Sequence, residues 1–195
     1  MKKTIITLTV ACFAAFTGLR ADTSYLLIQG PFGSGGAVET FKWQVNYQAG
    51  QLTKGFDLLT AALNPEQLQY STYPFGNLVD GFTLNGTSVS NNYPAAMWIY
   101  YSADATGQPW TYSDSGAALR NLVNGSFDGW VFGFSTFDPD TFALISADPI
   151  VGGTNTPTLA NFSTATVVGV PEPGSASLLL IGAGAMLSFL KRRRA

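Results

Sequence analysis

The sequence predicts an α+β fold, mainly β: a small antiparallel sheet domain with one short helix, bracketed by an apolar helix at each terminus. Three observations carry this. Large side chains recur in short runs that alternate with polar residues or are closed by Gly, Pro or Asn-Gly, and 23 aromatic residues lie between Asp22 and Val170 to fill a core. Helical spacing of apolar residues is clear only after Gly50. The uncharged apolar runs at the two ends are each flanked by cations. Short strands with a solitary amphipathic helix give the β-rich α+β class.

In chain order, Tyr25–Gln29 is an apolar run closed by Gly30-Pro31 and followed by the Gly-rich segment Gly33–Gly36, a strand and then a loop. Phe41, Trp43, Val45 and Tyr47 alternate with Lys42, Gln44, Asn46 and Gln48, so a pleated strand buries the first set and exposes Lys42, Gln44 and Asn46. Phe56, Leu59, Ala62 and Leu63 then recur at helical spacing, with Asp57 in the first turn and Asn64-Pro65 barring continuation. A loop containing Tyr70, Tyr73 and Pro74 follows. Within Gly81–Val89, Asn85-Gly86 tolerates the positive φ values of a type I′ turn and predicts a hairpin. Ala95–Ser102 is uncharged with large residues at both parities, the pattern of a central strand covered on both faces. Trp110–Ser113 is a further short strand, whereas Gly116–Val123 is compatible with one helical turn or a strand. Turns at Asn124-Gly125 and Asp128-Gly129 lead into a strand over Trp130–Phe134. From about Asp138 onward Pro, Gly, Thr, Asn and Ala accumulate, with Phe142–Ile145 the only apolar run, as in a flexible tether.

The N-terminus has Lys2-Lys3, an uncharged and mostly apolar stretch over Thr4–Leu19, and Arg20-Ala21. This is the layout of a secretory signal peptide, a signal helix handed to the Sec translocon, with cleavage after Ala21 leaving a small residue at the cut. A lipoprotein reading at Cys12 leaves a leader of eleven residues, too short for a normal apolar core. At the other end, the sixteen residues Ser175–Leu190 form about 24 Å of helix at about 1.5 Å per residue, slightly short of the roughly 30 Å hydrocarbon core of a bilayer. Lys191, Arg192, Arg193 and Arg194 are too costly to carry through lipid, so this transmembrane helix keeps its tail in the cytoplasm and snorkelling stems supply some missing length. Outside stand Pro171, Glu172 and Pro173. The two prolines hold the tripeptide extended and exposed at the membrane surface, the form a processing enzyme grips.

Such a tail also reads as a plain C-terminal membrane anchor. The combination, however, resembles the PEP-CTERM sorting signal of Gram-negative bacteria over about 26 residues. The resemblance implies an exosortase-like membrane transpeptidase as partner, Pro171, Glu172 and Pro173 as the sorting motif, residues 175–190 as the segment lying in the membrane, and Lys191–Arg194 as the membrane stop.

Most of the basic residues sit in these two ends. From Asp22 to Val170, Lys42, Lys54 and Arg120 face eleven carboxylates, a net charge of −8, which argues against nucleic acid as a partner because that binding rests on cations neutralising phosphates. Cys12 is the single cysteine and histidine is absent, so the mature domain has no disulfide, Cys nucleophile, Ser-His-Asp triad or ordinary zinc site. No metal or cofactor is expected. Asp138-Pro139-Asp140 lacks the glycine and distal Glu of a calcium loop and reads as a turn.

Two candidate chemistries remain. Trp98, Tyr100, Tyr101, Trp110, Tyr112 and Trp130 could form a platform for sugar rings, although large side chains at strand spacing are also what a small core needs; Tyr100, Trp110 and Tyr112 are the candidate ligand platform. A pair of the carboxylates could serve a glycoside hydrolase, but nearly all stand beside Gly, Pro, Asn or Ser as turn residues do.

A second, fainter resemblance joins the helix after Gly50, Phe75-Gly76, the Phe82–Gly86 hairpin, Trp98–Tyr101 and Asn124-Gly125 with Asp128-Gly129-Trp130. Together they are similar to the small β-rich C-terminal domain of transcobalamin and intrinsic factor. In those carriers a helical domain is also needed to enclose cobalamin, so the resemblance implies a fold and not corrinoid binding.

The expected organisation is a signal peptide over residues 1–21, a β-rich globular domain over 22–146, a flexible linker over 147–169 and a sorting signal over 170–195. The expected function is that of an exported cell-envelope or extracellular-matrix protein, anchored in the bacterial inner membrane and released to the surface after processing. Its globular part is a non-catalytic binding or structural module, with extracellular polysaccharide as a candidate partner; carbohydrate binding, corrinoid binding or carboxylate-based glycoside hydrolysis are the alternatives.

Overall fold

The structure, a computed structural model, describes residues 21–93, 96–103, 110–113, 115–133, 135–137, 144–147 and 162–170. The signal peptide through Arg20, the Asp138-Pro139-Asp140 turn, Phe134 and the tail from Pro171 lie outside the described residues.

β1 (Ala21–Gly30) and β2 (Glu39–Gln48) pair antiparallel from Ala21 opposite Gln48 to Gly30 opposite Glu39. β1 begins earlier than its apolar run because its polar start is tied down, the Thr23 hydroxyl donating to Asn46 Oδ1 at 3.0 Å. On β2 the period of two buries Trp43, Val45 and Tyr47 and half-buries Phe41. Lys42, Gln44 and Asn46 are half-buried rather than exposed. The cause is a neighbour that periodicity does not reveal: β11 (Thr166–Gly169) lies parallel against the other edge of β2.

α1 (Gly55–Ala62) starts where Asp57 Oδ2 accepts from the Thr53 and Lys54 amides at 2.9 Å, satisfying groups ahead of the first turn. It stops before Asn64-Pro65, as expected, and buries Phe56, Leu58 and Leu59. Gly55 is required: a Cβ there would lie 2.6 Å from Asp128 Oδ2.

β3 (Leu68–Tyr73), β4 (Gly76–Leu84) and β5 (Thr87–Ser90) form an antiparallel meander. Tyr70 and Tyr73, expected in a loop, belong to β3, whose pairing with β4 satisfies the backbone while both rings stay exposed. The β4–β5 connection is the predicted type I′ hairpin, with Asn85 at φ 50° and Gly86 at φ 75°.

β6 (Met97–Ala103) carries the uncharged run, with Trp98–Tyr101 buried, and pairs with β7 (Thr111–Tyr112) and β8 (Phe127–Gly133) on its two sides. Between β7 and β8, the ambiguous stretch supplies one helical turn, α2 (Gly116–Leu119). The Asn124-Gly125 turn is present, with Gly125 at φ 86°. Asp128-Gly129 is no turn. Both residues lie inside β8, because the Asp128 carboxylate finds charged and hydroxyl partners in the interior instead of capping a loop.

β9 (Ser135–Phe137) pairs antiparallel with β10 (Leu144–Ala147). The large sheet has the order β11-β2-β1-β8-β6-β7. The fold is thus mainly β, with short helices, but the large sheet is mixed rather than wholly antiparallel: β1–β8 and β2–β11 are parallel pairs. Partners so far apart in sequence are joined by crossovers, which can return a strand in the same direction.

Both faces of this sheet are covered. Leu26, Ile28, Trp43, Val45, Trp98, Tyr100 and Trp130 point to one face, where α1 and the meander supply Leu58, Leu59, Phe82 and Leu84. Tyr25, Leu27, Ile99, Tyr101, Phe127 and Val131 point to the other, where Phe162 is seated. The linker expected over 147–169 therefore ends in folded chain. Phe162 is only 4% exposed and β11 closes the sheet, since Val168 and Val170 offer β-branched apolar surface to the main core.

Candidate functional site

An open groove of about 380 Å³ lies where the meander leans on the large sheet. Its floor is aromatic: Trp98, Tyr100 and Trp130, with Tyr100 and Trp130 stacked at 4.8 Å between centroids. Alternation puts these rings on one face, since β6 and β8 place Tyr100 directly opposite Trp130.

Asn91 fixes the meander wall to this floor. Its amide nitrogen donates to the Asp80 carbonyl at 2.8 Å, its Nδ2 to the Val79 carbonyl at 3.0 Å, and its Oδ1 accepts from the Trp98 amide at 2.8 Å. Trp98 adds a bond from Nε1 to the Val89 carbonyl at 3.0 Å. The indole is thereby locked in place. Trp130 Nε1, by contrast, is buried without a hydrogen-bond partner among the described residues.

The rim is apolar and open to solvent. Phe75 is 60% exposed, Leu119 55% and Leu78 44%, each lining the groove. Phe75 also stacks on Tyr73 at an interplanar angle of 9°. Asp80 is the only carboxylate among the described lining residues, and its Oδ2 accepts from the Ser71 hydroxyl at 2.6 Å.

Of the expected platform, the groove brings together Tyr100 and Tyr112 and leaves out Trp110. Tyr100 lies at the bottom of the groove, buried and only 4% exposed, with its hydroxyl engaged with Asp128 at 2.6 Å; burial first, and then the neighbouring carboxylate, push its pKa far above the ordinary range. Tyr112 stands at the rim, 40% exposed and set edge-on to Tyr101. Trp110 packs on the opposite face beneath Gly129, where an added Cβ would lie 3.0 Å from its ring, and meets Phe127 edge-on. Two residues apart, Trp110 and Tyr112 share a parity, and Tyr112 is paired with Tyr101, so both go with the face of Tyr101 rather than that of Tyr100, and Tyr112 reaches the groove from the edge strand. Leu78 was not singled out by the sequence, and Phe75 entered only through the fainter resemblance, not as a candidate ligand residue. The signal available was a Phe between Pro74 and Gly76, an aromatic in a turn with little to bury it.

Among the described residues no three His, Cys, Asp or Glu side chains come together to hold a metal ion, and no helix is long and apolar enough to cross a membrane. The sorting motif Pro171, Glu172, Pro173, the segment 175–190 and Lys191–Arg194 lie outside the described residues.

Compared with curated proteins and with solved structures, the chain matches none, and the similarity to the transcobalamin domain gains no support. Residues 169–194 match the family model of the PEP-CTERM protein-sorting motif. Those residues hold the Pro-Glu-Pro tripeptide, the apolar run and the basic end in that order. The chain is therefore an exported protein that carries a C-terminal PEP-CTERM sorting signal and is sorted by an exosortase.

Proposed function

We propose that the folded part of this exported chain is a non-catalytic module that binds neutral polysaccharide in the groove between the meander and the large sheet. The reading rests on one observation: a solvent-open groove with an aromatic floor and apolar rim whose only carboxylate, among the described residues, is Asp80. The exposed rim rings Phe75 and Tyr112 offer a sugar ring an apolar surface for its C–H face, above floor rings that are themselves buried, and the groove is within the roughly 300–1,000 Å³ common for ligand sites. The Asp22–Val170 charge of −8 disfavours acidic glycans. Glycoside hydrolysis needs two carboxylates flanking the bond, and Asp80 is already engaged with Ser71. Placement follows from the tail: residues 175–190 hold the new chain in the inner membrane until an exosortase-like transpeptidase passes it to the surface or matrix, where polysaccharide is at hand.

Titration calorimetry of a chain spanning residues 22–170 with neutral and acidic oligosaccharides tests this. Binding of a neutral oligosaccharide that falls at least tenfold in Tyr112→Ala and Phe75→Ala, with melting temperatures held, is the expected result. Release of reducing sugar would overturn the non-catalytic reading, and absence of binding to any neutral glycan the carbohydrate reading.

A further inference from the structure

The two ends that carry export information leave the fold at one end of the large sheet. Ala21 starts β1 opposite Gln48, and Gly169 ends β11 in register with Asn46. Asn46 joins them: its carbonyl accepts from the Val170 amide at 2.9 Å, and its Oδ1 from the Thr23 hydroxyl at 3.0 Å.

The matched sorting motif begins at Gly169, inside β11, so no spacer separates the sheet from Pro171. At about 3.8 Å per residue, Pro173 lies within roughly 11 Å of Val170 in any conformation. The apolar segment starts only two residues later, at Ser175. An enzyme that takes extended substrate needs several free residues on the N-terminal side of the motif. While β11 is paired, one edge of that backbone is committed to β2.

β11 is a short strand at the edge of the sheet. It is four residues long, and Thr166, Val167 and Gly169 are exposed, Val167 by 64%. Behind it stands a firm stop, Phe162, set against Tyr25 at 5.2 Å and Phe127 at 5.4 Å between centroids. Release of β11 therefore leaves the second core filled.

We infer that this sheet end is the docking surface for the processing enzyme, and that β11 is a strap the enzyme draws off β2. Residues 163–170, about 27 Å when extended, then enter its cleft together with Pro171–Pro173, while Phe162 stays seated. This rests on the sorting signal and is independent of what the groove binds.

The test is a lock. Gln44 and Val167 are paired across β2 and β11, and a parallel neighbour at about 4.8 Å is within disulfide reach. Cys12 is the chain's only cysteine and precedes the fold, so the pair Gln44→Cys with Val167→Cys gives one bridge. In cells making the full chain with an exosortase, pulse–chase labelling should show the bridged chain converted at least tenfold more slowly than either single variant, with reductant restoring the rate. Conversion of the bridged chain at the rate of the singles, or a slow rate that reductant does not relieve, would overturn the strap. A second reading needs no enzyme: by hydrogen exchange on the unaltered chain, the Val168 and Val170 amides should exchange at least 100-fold faster than that of Leu26, and equal protection would also overturn it.

Discussion

The Tyr100 hydroxyl donates to Asp128 Oδ2 at 2.6 Å, joining the middle of β6 to the start of β8. Arg120 Nε donates to the other oxygen at 2.9 Å, and both charged side chains are almost fully buried. Arg120 Nη2 continues to the Ala103 carbonyl at 3.2 Å. A buried charge stripped of its partner is far more costly than the intact pair is favourable. Asp128→Ala should therefore lower the stability of a chain spanning residues 22–170 by about 3–5 kcal/mol in urea unfolding. Tyr100→Phe, which leaves the pair but orphans one carboxylate lone pair, should cost about 1–3 kcal/mol. A loss under about 1 kcal/mol for Asp128→Ala would show that the pair is not buried as described.

The same hydroxyl predicts alkaline lability. Burial and the Asp128 charge raise the Tyr100 pKa well above its ordinary value of 10.0, so the folded state keeps a proton that the unfolded chain gives up. Stability from this group is complete below pH 10 and falls as pH rises beyond it, by at most about 1.4 kcal/mol per pH unit. Tyr100→Phe should flatten that part of the pH–stability curve. An equal alkaline slope in both proteins would rule out Tyr100 as its source.

On β2, Trp43→Ala should cost about 3–5 kcal/mol, the range for deleting a large buried aromatic. Gln44→Ala should cost less than about 1 kcal/mol, since Gln44 is half-buried and its Nε2 donates to the neighbouring Asn46 Oδ1 at 3.2 Å. Denaturant midpoints at unchanged slope measure both. This strand was legible in the sequence because its side chains alternate strictly, and the Asn85-Gly86 hairpin because few residues accept positive φ. Asp128 was not: Asp-Gly favours turns locally, and it takes partners brought close by the fold, Arg120 and Tyr100 among them, to make a strand interior the better place for it. The groove was half legible for the same reason. Aromatic residues were visible in the sequence, but which face each takes, and that Trp110 sits behind Phe127, depends on a strand pairing that composition does not encode.

The folded unit runs to Val170, and its boundary can be measured. Phe162 lies in a stretch of Thr, Asn, Pro and Gly that has the composition of a linker, yet its ring closes the core between Tyr25 and Phe127. Those two rings are themselves stacked at 4.6 Å, so removing Phe162 opens one side of an aromatic cluster to water. Phe162→Ala should cost about 3–5 kcal/mol, the usual range for a buried Phe. A chain ending at Ser146 should lose at least as much, because it also lacks β11 and with it the cover that Val168 and Val170 give the main core. The deletion further uncovers the long edge of β2, a ready template for pairing with another chain. The shorter chain should then melt lower than residues 22–170 and associate at rising concentration, both visible by calorimetry and light scattering. Equal melting temperatures for the two chains would place the domain boundary back at β10 and leave Phe162 outside the cooperative unit.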